Sequence, residues 1–147
     1  MAESTENKSR WYPDHPWVGV GVVVIRDGRL LTVKRGKEPN KGKWSIPGGG
    51  VELGETVYEA AVRETLEECS LHVEILKVID TADNIVQDDS GRIKYHFTII
   101  DLLGRYVSGE VKAQSDAAEC RWVVLEEIES LDITAILREM LKRNGII

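Results

Sequence analysis

The chain has 147 residues, of which 42% are hydrophobic and 30% charged, the length and balance of one globular domain. Lys and Arg total 19 against 25 Asp and Glu, and the resulting charge of −6 argues against a long nucleic acid as ligand. No apolar run approaches the roughly 20 residues of a membrane-spanning helix, and residues 1–10 carry neither the apolar core of a secretory signal nor the acid-poor pattern of a transit peptide, so a cytoplasmic location is expected. Cys69 and Cys120 are too few for a disulfide framework or a zinc site, and both are expected to be reduced packing residues.

Residues 1–15 are polar apart from a few positions such as Trp11 and Tyr12 and are expected to form a flexible N-terminal arm, with a single domain over 16–147. Val18 to Arg26 reads as a buried strand, Asp27-Gly28 as a hairpin turn and Leu30 to Lys34 as the returning strand. After a polar loop from Lys37 to Lys43, Trp44 to Ile46 is a short strand, and Pro47 with three glycines is expected to turn the chain sharply. Thr56 to Cys69 is helical in composition. At 100° per residue, Tyr58, Ala61, Val62, Thr65, Leu66 and Cys69 gather into an arc of about 140°, which predicts the core-facing side.

Two longer strands follow, Val73 to Val86 and Lys94 to Leu103, joined by the turn Asp88 to Gly91, and Glu119 to Leu125 is a further strand. Ile133, Ile136, Leu137, Met140 and Leu141 repeat at helical spacing, with Asp132 as the expected cap and Gly145 beyond the end. Two helices interleaved with strands imply an α+β protein, an α/β/α sandwich with a mixed β-sheet.

Chemistry concentrates on the first helix. Glu67, Glu64 and Glu68 fall at about 180°, 240° and 280° on the same wheel, beside the apolar arc. Arg63 can pair with Glu59 and Glu67, which would make this an ordinary charged face, but one arginine does not neutralise four glutamates. Clustered carboxylates on a rigid helix suit a hard divalent cation, Mg²⁺ or Mn²⁺. The preceding Pro47 to Glu55 turn is glycine-rich, and glycine lets backbone approach a ligand closely. Such a cation would also let an acidic chain take a small phosphorylated ligand.

Gly49, Glu55, Arg63, Glu64, Glu67, Glu68 and Leu71 fit the Nudix box, and the chain resembles the Nudix hydrolase family over most of its length. Thr65 stands where the pattern has an aliphatic residue, and Ser70 where it has the helix-ending glycine. The resemblance implies the Nudix-type sandwich and a metal-dependent pyrophosphohydrolase. It implies Glu64, Glu67, Glu68 and the Gly48 carbonyl as metal ligands, Arg63 as the residue that orients a glutamate, and Glu55 as its tie to the loop. The general base would be Glu64 or an acid of the distant loop, Asp116 or Glu119, with Glu119 favoured.

Arg35 is a candidate phosphate ligand, and Trp11, Trp17 and Tyr95 are candidates to stack on a base. The small ADP-ribose pyrophosphatase-like members are the closer likeness, implying a nucleoside diphosphate linked to another moiety. The alternatives are a sanitiser of oxidised nucleoside triphosphates and a noncatalytic nucleotide sensor. The expected partner is a small phosphorylated nucleotide, with neither nucleic acid nor membrane, and a homodimer is left open.

Overall fold

A computed structural model of the protein describes residues 10–147; residues 1–9 of the expected arm lie outside the described residues. The elements run β1 (Trp17–Arg26), β2 (Arg29–Arg35), β3 (Trp44–Ser45), β4 (Gly48–Gly50), α1 (Val57–Cys69), β5 (His72–Gln87), β6 (Ile93–Ser108), β7 (Ala117–Val124), a 3₁₀ turn (Leu125–Ser130) and α2 (Ala135–Arg143). The described end of the arm lies against the β5–β6 hairpin, where the Tyr12 amide donates to the Lys94 carbonyl at 2.9 Å and its hydroxyl to Asp88 Oδ2 at 3.0 Å.

The strands join in the order β3-β2-β1-β6-β5, with β4 added to β1 and β7 to β2. β1 and β6 are parallel and the other pairs antiparallel, so the sheet is mixed, as expected. β1 is apolar on both faces because both are covered. Val20, Val22 and Val24 pack with Ala60, Ala61 and Cys69 of α1, whereas Val23 belongs to a second cluster with Ile46, Leu137, Met140 and Leu141, which carries α2. The result is the expected α/β/α sandwich.

Four local expectations need correction. The glycines after Pro47 do not simply turn; they form β4, paired antiparallel with β1 from Gly19↔Gly50 to Gly21↔Gly48. A Cβ on Gly48 would collide with the Val20 carbonyl, so the run is glycine because two backbones meet there. The hairpin strands are longer than predicted, reaching Gln87 and Ser108. The C-terminal helix starts later and is capped by Thr134, not Asp132. The buried side of α1 is also rotated from the predicted arc. Ala60, Ala61, Thr65, Glu68 and Cys69 are buried, while Tyr58, Val62 and Leu66 are exposed.

The two departures from the box pattern have local explanations. Thr65 is fully buried, and its hydroxyl donates to the Ala61 carbonyl at 2.8 Å, leaving the methyl for the core. Ser70 ends α1 in the left-handed region, φ 63 and ψ 24, and its hydroxyl donates to the Lys112 carbonyl at 3.0 Å. Left-handed strain costs about 1–2 kcal/mol, more than the roughly 0.5–1 kcal/mol expected of an exposed hydrogen bond. Ser70→Gly is therefore expected to raise the thermal midpoint by about 2 °C. A lower midpoint in a melting curve would show that the Lys112 contact outweighs the strain.

Candidate active site

The helix start fixes which residues reach the site. Thr56 caps α1 by accepting from the Glu59 amide at 3.1 Å, and Glu59 accepts in return from the Thr56 amide at 3.0 Å. From that phase Glu68 points into the sheet side, only 9% exposed, and its Oε1 accepts from the Gly48 amide at 2.8 Å. Glu64 lies beside it, against β4. A Cβ on Gly49 would stand 2.5 Å from Glu64 Oε1, so this glycine is what lets the carboxylate lie on the backbone.

Arg63 ties the loop to the helix. Nε and Nη2 donate to the two oxygens of Glu55 at 2.7 and 2.9 Å, and Nη2 also donates to the Gly50 carbonyl at 3.0 Å. Nη1 donates to Glu64 Oε1 at 2.8 Å and to Glu67 Oε2 at 3.2 Å. The guanidinium holds the Glu55 carboxyl down at about 2. Glu64 is different: burial pushes it up to about 6 although Arg63 opposes the shift. Burial, offset by the Gly48 amide and reinforced by Glu64, raises Glu68 to about 8.

A cavity of about 450 Å³ opens on this cluster, lined on its polar side by Gly48, Gly49, Glu68, Arg35 and Asp116. Arg35 donates from Nε to the Pro39 carbonyl at 2.7 Å, which fixes the 37–40 loop over the cavity. Of the two distant acids, the structure brings only Asp116 to the site. It pairs with Lys37 at 2.9 Å, and its charge is felt by both Glu64 and Glu68. The preference for Glu119 does not match the geometry. Side chains alternate along β7, Cys120 turns to the Glu68 carbonyl at 3.1 Å, and Glu119 therefore faces the other way, 3.6 Å from Lys34.

Cys69 and Cys120 are free thiols whose sulfurs meet at 2.9 Å behind α1. Trp11, Tyr95 and Phe97 line the cavity in a row, with centroids 5.6 and 4.9 Å apart; Trp17 sits at its end, 6.5 Å from Phe97. Lys37 and Asp101 escaped the sequence reading. The signal for Asp101 was a lone acid inside the apolar run Thr98 to Leu103.

Among the described residues no three His, Cys, Asp or Glu groups converge on one point at ligand distance, because Glu64 and Glu67 turn to Arg63. The donor set nonetheless fits a hard divalent cation. All its members are oxygens, and burial raises the proton affinity of both Glu64 and Glu68, with the Glu64 charge adding to the shift at Glu68. Without metal this has a measurable consequence. Unfolded carboxyls ionise near 4.5, and folded Glu64 and Glu68 near 6 and 8, so the folded chain holds more protons in that interval and stability falls as pH rises through it. In EDTA the thermal midpoint is expected to drop between about pH 5 and pH 8, with Glu68→Gln removing much of the drop. A midpoint that is flat or rises over this range would contradict the burial of these groups.

Residues 15–143 match the NUDIX domain family. An ADP-ribose pyrophosphatase of Methanocaldococcus jannaschii is 34% identical over 134 residues, 89% of this chain and 77% of its own length. An oxidized purine nucleoside triphosphate hydrolase of Danio rerio is 32% identical over 114 residues, 73% of this chain and 65% of its own. Among solved structures, a MutT NUDIX hydrolase from Burkholderia pseudomallei superposes with a TM-score of 0.74 at 29% identity, covering 88% of this chain and 98% of that one. Nudix enzymes require a divalent metal ion and act on small nucleotide substrates. On its sequence, its sandwich and the glutamates of α1 together, the chain belongs to the Nudix hydrolase family and is a pyrophosphohydrolase.

Proposed function

We propose that the substrate is a nucleoside diphosphate linked to a second moiety, of the ADP-ribose type, cleaved at its P–O–P link with Mg²⁺. The observation that carries this reading is the 34% identity to an ADP-ribose pyrophosphatase over 89% of the chain. The shape of the site supports it. The cavity extends from the carboxylates beneath the sheet to Asp101, Ile99 and Met140, and in another direction past Pro39 and Asn40 to Trp11 and Tyr95. A second recess of about 520 Å³, lined by Trp11, Pro39, Asn40, Val86, Lys94 and Tyr95, continues that direction. A diphosphate held near Arg35 would thus have room for a group on more than one side.

Glu64, Glu67 and Glu68 would hold the metal, whose positive charge, when bound, acidifies a water and stabilises the charge developing on the phosphoryl groups. Arg63 keeps Glu64 in place and leaves the substrate alone. Arg35 supplies positive charge for a phosphate at the cavity wall. Asp116 takes the proton of the attacking water: it lies on a loop segment, lines the cavity and is steadied by Lys37.

The test is one assay with product analysis. The parent is expected to convert ADP-ribose with Mg²⁺ into AMP and ribose 5-phosphate faster than it releases pyrophosphate from oxidised dNTPs. The reverse order would favour the triphosphate reading that the Danio rerio relative suggests. In the same assay Asp116→Asn is expected to lower kcat about 100-fold and to abolish the rising acid limb of the pH profile, whereas Glu119→Gln behaves as the parent. An unaltered profile in Asp116→Asn would move the base to Glu64.

A further inference from the structure

Asp101 sits on β6 in register with Gly21 of β1, among Ile99, Ile100, Leu102 and Leu103. The residue is 4% exposed, and its Oδ2 has no hydrogen-bond partner among the described residues. A buried carboxyl without a partner is costly, and an apolar residue of similar size would serve the fold better. Nor does the carboxyl anchor α2. That contact belongs to Asp80, the neighbour of Asp101 across the β5–β6 ladder, which accepts from Arg143 Nε and Asn144 Nδ2 at 2.8 Å each.

The surroundings are shaped around this group. Oδ1 stands 2.5 Å from where a Cβ on Gly21 would be, with Ile46 Cδ1 at 3.1 Å from the same point, so the glycine makes room for the carboxyl. Asp101 lines the cavity that also reaches Glu68 and Arg35, and Gly19, Gly21, Ile46, Ile99 and Met140 give its inner part largely apolar walls. A flat heteroaromatic ring suits such walls, and one polar edge of that ring would meet Asp101.

We propose that the Asp101 carboxyl hydrogen-bonds the edge of an adenine base in this recess and so determines which base the enzyme accepts. The inference deepens the substrate reading above and rests on it for the nucleoside. A protonated carboxyl presents one O–H donor beside one carbonyl acceptor, and adenine presents the matching acceptor and N6 amino donor side by side. The surroundings of Asp101 favour this form on balance. Burial and Asp80 push its carboxyl up to about 7, against the opposing pull of Arg143.

The experiment compares equilibrium binding of AMP and purine riboside 5′-monophosphate, which lacks the amino group, to the full chain at pH 6 by calorimetry. The parent is expected to bind AMP about tenfold more tightly, because the analogue keeps the ring acceptor and loses the amino donor. Asp101→Asn keeps one donor and one acceptor and is expected to keep that preference, whereas Asp101→Leu abolishes it. Both variants are expected to melt no lower than the parent, because an orphaned carboxyl is replaced. A parent that does not distinguish the two ligands would overturn the assignment. So would a leucine variant that keeps the preference, or a lowered midpoint in both variants, which would mark a structural role. A parent that passes yet leaves ADP-ribose uncleaved would refute the substrate reading and leave Asp101 assigned.

Discussion

The guanidinium of Arg63 is the one positive charge around which the glutamates of α1 and the loop before it are arranged. Glu55, Glu64, Glu67 and the Gly50 carbonyl all accept from it, and these come from three separate pieces of backbone. A half-buried arginine needs its partners, and a bidentate carboxylate such as Glu55 satisfies it with fixed geometry. Its charge is spent on Glu55, which it holds ionised far below the usual range. Burial raises the proton affinities of Glu64 and Glu68, and Arg63 offsets this only in part at Glu64. That imbalance is the physical basis for a cation site: the fold places negative charge where it cannot neutralise it from its own side chains.

Glycine supplies the space in which this happens. At Gly48 the backbone of β4 meets that of β1, at Gly49 it meets the Glu64 carboxylate, and at Gly21 that of β1 meets the Asp101 carboxyl. Each position gives up a side chain so that a polar group can approach backbone or ligand. The same preference for function over packing is visible on α1, which buries Glu68 while Tyr58, Val62 and Leu66 stay exposed.

Much of this was legible in the sequence, and the exceptions have a common cause. The β1 run, the Asp27-Gly28 turn and the order of strands and helices follow from patterning and turn chemistry, and Asp27 and Gly28 do adopt positive φ of 52 and 72. The acids of α1 stood out because no ordinary helix gathers so many on one side. An apolar wheel misplaces the burial arc of α1 because it weights large side chains, and the helix approaches the sheet instead through Ala60 and Ala61. β4 reads as a turn because glycine carries no strand signal of its own. Favouring Glu119 over Asp116 has no support in spacing, since the alternation of β7 and its pairing with β2 decide which way Glu119 faces. Cys69 and Cys120, 51 residues apart, met for the same reason: long-range register is written in no local pattern.

The central claim is that the under-compensated carboxylates of α1 form a divalent cation site. Binding of Mn²⁺, followed by electron paramagnetic resonance of the free ion in the absence of nucleotide, tests it most directly. The parent should bind, Glu68→Gln should bind at least about tenfold more weakly, as loss of a carboxylate ligand implies, and Glu119→Gln, whose exposed carboxylate pairs with Lys34 and does not line the cavity, should match the parent. Equal affinity in the parent and Glu68→Gln, or an equal loss in Glu119→Gln, would contradict the claim.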